Sequence, residues 1–421
     1  LVELTPDERA ILEGERGPGL QFAARIVTAA AQAVGASRLV EITRAHVDGC
    51  LYHGVASLDF ARRLVEGGTR VAVPTTLNVG GVDLLHPELW RGEPDHARAA
   101  AELMELYVAL GCTPTFTCAP YQLADRPGPG ETIAWAESNA IVFANSVLGA
   151  RTNRNGDFLD VACALLGKAP YYGLLTDEGR RAEVMIDLSP VGERILASDA
   201  AAAVVGHLTG LVAGDRIPLL VGLPPDVGED YLKAVGAAAA SSGSVAMFHV
   251  LGVTPEAPDV ETATGGRPVE RVVFDQDALI AARDDLDART GDRLGAVALG
   301  TPHFSLEEFR RADRIVREEG IRVPDGFPVW INTSRAVLEQ AESEGVTRSL
   351  VEQGARIVVD TCTYVAPLME PVDGVVMTNS GKWAFYAPSN LGVEVAFGSL
   401  RECLVSAGLG RVWRDPEVWG A

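Results

Sequence analysis

A chain of 421 residues, 47% of them hydrophobic and 22% charged, is too long for one ordinary core and is expected to form two or three packed units with a large buried interior. Its formal charge of −21 argues against a general nucleic-acid or anionic-membrane partner, which needs clustered Lys and Arg, and leaves room for a small substrate in a local pocket. The six cysteines form no CxxC pair or dense framework, no basic-then-apolar leader opens the chain and no apolar run is long enough to span a bilayer, so a reduced cytoplasmic protein is expected.

In chain order, Thr5-Pro6-Asp7-Glu8 carries the cap, first-turn proline and capping-box glutamate of a short helix. A helix over 20–34 stops at Gly35, and residues 38–43 read as a buried strand delivering His46 and Asp48 to a loop. A helix over 57–66 and a strand over 70–73 then release the polar run 74–78, with Thr75, Thr76 and Asn78. Polar residues just past a strand's carboxyl end mark the edge of an open α/β sheet where ligands bind. After a helix over 95–110 comes the stretch around which the chain is organised, residues 113–155: a threonine-rich loop with Cys118, a Pro/Gly turn at 126–130, and an apolar helix bearing Glu137, Ser138, Asn145 and Ser146, followed by Arg151, Thr152, Asn153 and Arg154. A helix made only to fill a core would not bury a carboxylate, amides and hydroxyls, since each unpaired polar group costs roughly 1–3 kcal/mol. This segment therefore reads as one wall of an active site.

Residues 158–166 read as helical, 218–223 and 245–251 as buried strands around an alanine-rich helix over 231–241, and 256–270 as a mobile polar loop. The last third alternates strand and helix as a parallel sheet does: 295–299 before Thr301, Pro302 and His303, 329–332 before Ser334 and Arg335, and 356–360 before Cys362, with Lys382 following a further polar turn. Three strand ends thus place Thr301, Ser334 and Cys362 on one crest. Ser305 and Glu308 form a second capping box, and a helix over 400–407 closes the fold.

Cys118 and Cys362 sit at loop mouths where thiolates hold iron or zinc, although free cysteines more often behave as small buried hydrophobes. His46, Asp48 and His303 are acids, ligands or loop residues bonded to backbone. Glu137 in an apolar helix should have a raised pKa unless Arg151 or Lys382 lies near, and Arg151, Arg154 and Arg335 suit bidentate capture of a carboxylate or phosphate. No nucleophile elbow, phosphate loop or dinucleotide fingerprint is present, which disfavours serine hydrolysis and nucleotide chemistry.

The segments PTTLN, TPTFTCAPY, GETIAWAESNAIVFANSVLGARTNR and PHFSLEE, with DTC at Asp360–Cys362 and NSGK at Asn379–Lys382, together resemble the large catalytic part of the aconitase X family over nearly the whole chain. The resemblance implies an α/β fold, an aconitase-like α/β/α core of several subdomains with mostly parallel sheets, expected here over 1–200, 201–290 and 291–421. It also implies a hydro-lyase reaction at cysteine-bound iron, with cis-3-hydroxy-L-proline and phosphomevalonate as the family's substrates. Cys118 and Cys362 match two ligand positions. Thr301 stands where the family has a third cysteine, so an iron–sulfur cluster, mononuclear iron and a metal-free variant all stay open. The expected catalytic residues are Glu137, Ser138, His303 and Lys382. Those expected to bind a small hydroxy acid are His46, Asp48, Thr75, Thr76, Asn78, Asn145, Ser146, Arg151, Thr152 and Ser334. Relatives also use a small swivelling domain, expected here on a partner subunit. Competing readings are metal-independent acid–base chemistry through Glu137 and His303, and a non-catalytic scaffold.

Overall fold

The computed structural model describes residues 2–419. Contacts divide the chain into two compact units, Leu1–Arg181 and Ala182–Ala421.

The first unit opens with the expected capped helix, Pro6–Glu13, in which Thr5 Oγ1 accepts from the Glu8 amide and the Glu8 carboxylate accepts from the Thr5 amide. Helices Pro18–Ala33, Val55–Glu66, Pro94–Ala109 and Leu159–Leu166 supply its core. Each buries residues three and four apart, such as Ala23, Val27 and Ala31, or Leu58, Ala61 and Leu64. That spacing lines one helical face with apolar side chains. A side chain the size of Leu64 or Leu103, both fully buried, contributes roughly 1.5–3 kcal/mol on leaving water.

Strand β1 (Leu39–Glu41) pairs antiparallel with β5 (Lys168–Pro170). Between them in sequence, β2 (Ala45–Val47) lies in the middle of a parallel sheet, flanked by β3 (Thr75–Leu77) and β4 (Ala134–Trp135). The strand expected at 70–73 is therefore displaced: its residues bond to helix ends, with the Val71 amide donating to the Leu110 carbonyl and the Ala72 amide to that of Ala164. The ladder begins only after Pro74, whose carbonyl accepts from the Ala45 amide. The polar helix also starts later than its apolar run suggests, at Ser138, because residues 134–135 are drawn into the sheet.

The second unit is built on two parallel sheets. One, in the order β8 (His249–Val250), β7 (Pro218–Val221), β6 (Val184–Asp187), β9 (Glu270–Val273), includes two strands with no clear mark in the sequence. The loop expected at 256–270 contains a helix, Val260–Thr264, started by Asp259 accepting from the Thr262 amide. The other sheet runs β12 (Ala355–Val358), β11 (Val329–Thr333), β10 (Leu294–Phe304), β13 (Val375–Thr378), β14 (Val395–Phe397), and its apolar strands pack on a core that includes Phe304, Phe309, Ile331 and Leu404. Helices Asp199–Ala213 and Glu229–Ser242 pack closely because Gly206 and Gly210 lack a side chain: a Cβ at either would lie 2.3 Å from the Val235 carbonyl oxygen or 2.1 Å from Ser242 Oγ. The helix expected at 400–407 spans Leu400–Leu409. Among the described residues no helix is long and apolar enough to cross a membrane.

Candidate active site

Three parallel strands of the first unit end together. β2 runs into Asp48, β3 into Asn78, and β4 reaches Glu137 two residues on. The ends are laced by backbone bonds: the Asn78 amide donates to the Val47 carbonyl at 2.8 Å, that of Ala136 to His46 at 2.9 Å, and that of Thr117, next to Cys118, to Leu77 at 3.0 Å. Asp48, Asn78, Glu137 and the Cys118 loop thus share one crest, the carboxyl edge of a parallel sheet.

Glu137 has a φ of 69°, a left-handed conformation uncommon outside glycine. It caps the helix Ser138–Ser146, its carboxylate accepting from the Ala140 amide at 2.8 Å and from Asn139 Nδ2. Asn139 Nδ2 also donates to the Cys118 carbonyl at 2.8 Å, while Tyr121 donates to Asn139 Oδ1 at 2.6 Å. The carboxylate and the thiol-bearing loop are therefore held by one amide. Ser138 Oγ lies 3.5 Å from Glu137 Oε1.

Asp48 accepts from Asn78 Nδ2, and Asp160, buried in the helix Leu159–Leu166, accepts from the Asp48 amide at 2.7 Å. Burial first, and then the charges of Asp157 and Glu137, push the Asp48 carboxyl up to about 8 against the Asn78 bond, with Asp160 adding to the rise. Burial and Asp157 push Asp160 up to about 7, offset by the amides of Asp48, Val161 and Gly49. His46 is fully buried with Nδ1 2.8 Å from Thr76 Oγ1, and burial takes its pKa down to about 3, so it is neutral and fixes the Thr76 hydroxyl.

Several residues expected at the substrate also make bonds within the chain. Thr75 Oγ1 donates to the Val73 carbonyl, and Thr152 Oγ1 accepts from the Trp135 amide. Asn145 donates to the Thr152 carbonyl and accepts from the Thr152 amide and Arg180 at 3.0 Å, while Arg151 pairs with Asp177. Asn145 and Thr152 thereby stitch the turn after the helix Ser138–Ser146, in which Ser146 is also buried. Two acids that the sequence did not single out, Asp157 and Asp160, join the crest through their charges. The signal for Asp160 is an acid opening the otherwise apolar run 159–166.

In the second unit the crest at the carboxyl ends of the five-stranded sheet carries Thr301, Asn332, Cys362 and Ser380. Gly300, at φ 83°, is required: a Cβ there would lie 2.1 Å from the Asn332 carbonyl oxygen. Asn332 Nδ2 donates to the Leu299 carbonyl at 2.8 Å and Asn332 Oδ1 accepts from the Thr363 amide at 3.0 Å, tying three strand ends together. As a result Thr301 Oγ1 stands 3.2 Å from Cys362 Sγ. Asp360, fully buried with φ 64°, is clasped by Arg335, whose Nε donates at 2.6 Å. The arginine whose placement suits capture of a carboxylate thus holds one of the chain's own.

His303 is fully buried, and its Nε2 lies 3.2 Å from the Thr361 carbonyl, which can only accept, so Nε2 carries the proton. Burial lowers its pKa to about 4, with Lys233 and Lys382 adding to the fall against the Thr361 bond. A neutral imidazole so placed organises the loop before Cys362. Lys233 sits between Asp230, at 3.0 Å, and Glu308. Ser334 Oγ accepts from the Val337 amide as a helix cap, and Lys382, buried near the start of the helix Gly381–Leu391, lies 6.0 Å from the Tyr364 ring centre.

The donor set decides what these crests can hold. At the position resembling a third cysteine ligand, the group against Cys362 is the neutral hydroxyl of Thr301, a poor iron ligand beside a thiolate. Among the described residues no group of three or more His, Cys, Asp or Glu side chains is arranged to hold a metal ion. A cluster held by three thiolates does not fit these residues.

A parallel α/β scaffold that gathers buried carboxylates, amides and hydroxyls at its strand ends defines a small-molecule enzyme. Family models described as the aconitase X first, second and third domains match residues 1–178, 182–284 and 294–408. The chain is 44% identical to the cis-3-hydroxy-L-proline dehydratase of Pseudomonas aeruginosa over 98% of its own length and 71% of that protein's, and 40% identical to the enzyme of that name from Hypocrea jecorina over 96% and 68%. It is 37% identical to the phosphomevalonate dehydratase large subunit of Thermococcus kodakarensis over 91% and 94%. Among solved structures, the holo-form of Thermococcus kodakaraensis aconitase X superposes with a TM-score of 0.86 at 35% identity, covering 96% of this chain and 99% of that one. The chain belongs to the aconitase X family and is a dehydratase, a hydro-lyase of small hydroxy acids.

Proposed function

We propose that the chain dehydrates cis-3-hydroxy-L-proline or a close β-hydroxy-α-amino acid. The observation that carries this reading is the 44% identity to the Pseudomonas aeruginosa enzyme over 98% of the chain. The reaction removes the proton alpha to the carboxylate and expels the β-hydroxyl as water, giving a cyclic enamine that tautomerises to an imine. Glu137, fixed by Ala140 and Asn139 on a crest that also bears Asp48, is assigned to proton movement at the substrate. Ser138 adjoins it, and Thr76, oriented by His46, offers a hydroxyl for positioning. Iron, which the resemblance implies at cysteine, would supply Lewis acidity at the leaving hydroxyl. Thr301 leaves a three-thiolate cluster one ligand short, and the roles of Glu137, Ser138 and Thr76 do not depend on it.

The test is imine formation from cis-3-hydroxy-L-proline, followed with o-aminobenzaldehyde. Turnover is expected, with kcat lowered about 100-fold or more in Glu137→Gln, whose amide oxygen still accepts from Ala140 and keeps the fold. No turnover by the wild type, alone or with a small-domain partner, would reject the reading. Dehydration of phosphomevalonate is the second reading, favoured by coverage of 94% of a large subunit of that name. That name also supports the proposal of a small partner subunit, to be tested by co-purification.

A further inference from the structure

The proton-moving role of Glu137 leaves one part of the first crest unexplained. Asp48 takes a single side-chain hydrogen bond, from Asn78 Nδ2, and no cationic side chain pairs with it or with Asp160 among the described residues. Asp157, Glu137 and Asp160 add negative charge around it. Asn78 is 2% exposed, and its Oδ1 has no hydrogen-bond partner among the described residues although its amide is aimed at Asp48. A buried amide oxygen left without a donor costs about 1–3 kcal/mol, so its retention beside a carboxyl points to a ligand that donates twice. The group is not arranged as a metal cage.

We propose that Asp48 and the Oδ1 of Asn78 receive the two N–H bonds of a secondary ammonium on the substrate, making this the subsite that selects cyclic β-hydroxy-α-amino acids over hydroxy acids without nitrogen. The assignment rests on the dehydratase reading and names the part of the substrate that this crest recognises. A secondary ammonium carries two N–H donors and a positive charge, matching one carboxylate, one amide oxygen and the surrounding acids. Its positive charge would sit among the acids Asp157, Glu137 and Asp160 that, after burial, raise the Asp48 carboxyl. A phosphorylated hydroxy acid brings only negative charge to the same place and is repelled.

The experiment compares two ligands that differ at that atom: cis-3-hydroxy-L-proline and its carbocyclic analogue, cis-2-hydroxycyclopentanecarboxylate. Binding to the full chain is read by calorimetry and water loss is assayed separately. The amino acid is expected to bind about 10- to 100-fold more tightly than the carbocycle, the range of a charge-assisted hydrogen bond. In Asp48→Asn that ratio is expected to fall to about threefold or less, with circular dichroism unchanged. Equal binding of the two ligands by the wild type, binding of neither, or a folded Asp48→Asn that keeps the ratio overturns the subsite. The wild-type ratio decides alone if the variant does not fold. Equal turnover of both ligands leaves the dehydratase reading standing and removes the ammonium subsite; a wild-type ratio of at least about tenfold without water loss does the reverse.

Discussion

At the scale of single residues, the two crests rest on side chains whose protonation is set by burial. Asp48 and Asp160 are raised, to about 8 and about 7, so the unfolded chain ionises them well before the folded chain does. The sign follows from linkage: their contribution is fully present below the ordinary carboxylate pKa of about 4 and is lost as pH rises through 7 to 8. The wild type should therefore lose thermal stability between pH 5 and pH 8, and Asp48→Asn, which has no proton to lose there, should lose less. Melting curves at the two pH values check this, with a difference of several degrees expected between the slopes. His46 and His303 are depressed, so both are neutral at neutral pH, and His303 also fixes the Thr361 carbonyl.

At the scale of elements, the sites depend on clamps at strand ends. Arg335 opens the helix after β11 and holds Asp360, just past β12, in a left-handed turn two residues before Cys362. Arg335→Met strands a fully buried carboxylate. Because the guanidinium is 36% exposed, the cost should lie below that of a fully buried pair, at about 2–3 kcal/mol. Denaturant unfolding would show it, and Arg335→Lys should recover only part, since an ammonium cannot make the paired contact. The strand-then-helix rhythm made the second crest legible: Thr301 and Cys362 were expected together, and they touch. The first crest was legible in its residue types but not in its ladder, because the apolar run 70–73 reads as a strand while its amides are taken by the helix ends at Leu110 and Ala164. The helix Asp199–Ala213 has no polar face, since its residues are almost all small or apolar and most of them are buried, so it shows no helical period. The bonds that Asn145, Thr152 and Arg151 make within the chain could not be read from sequence, because a buried polar residue does not reveal its partner.

At the scale of the whole molecule, 57 acidic residues against 36 basic ones give the chain a strongly negative net charge. A zwitterionic hydroxyproline carries no net charge into that field, so its kcat/KM should change less than about twofold between about 20 and about 200 mM salt. A phosphorylated substrate would instead be turned over faster as salt screens the repulsion, and the salt series thus separates the two substrate readings. The closely packed pair Asp199–Ala213 and Glu229–Ser242 has a consequence for how this gene can drift. Every missense codon one nucleotide from glycine encodes a residue with a Cβ, and at Gly206 and Gly210 any such atom collides with the facing helix. The seam therefore has no conservative neighbours in codon space, and lineages carrying this packing should keep both glycines even where the substrate changes.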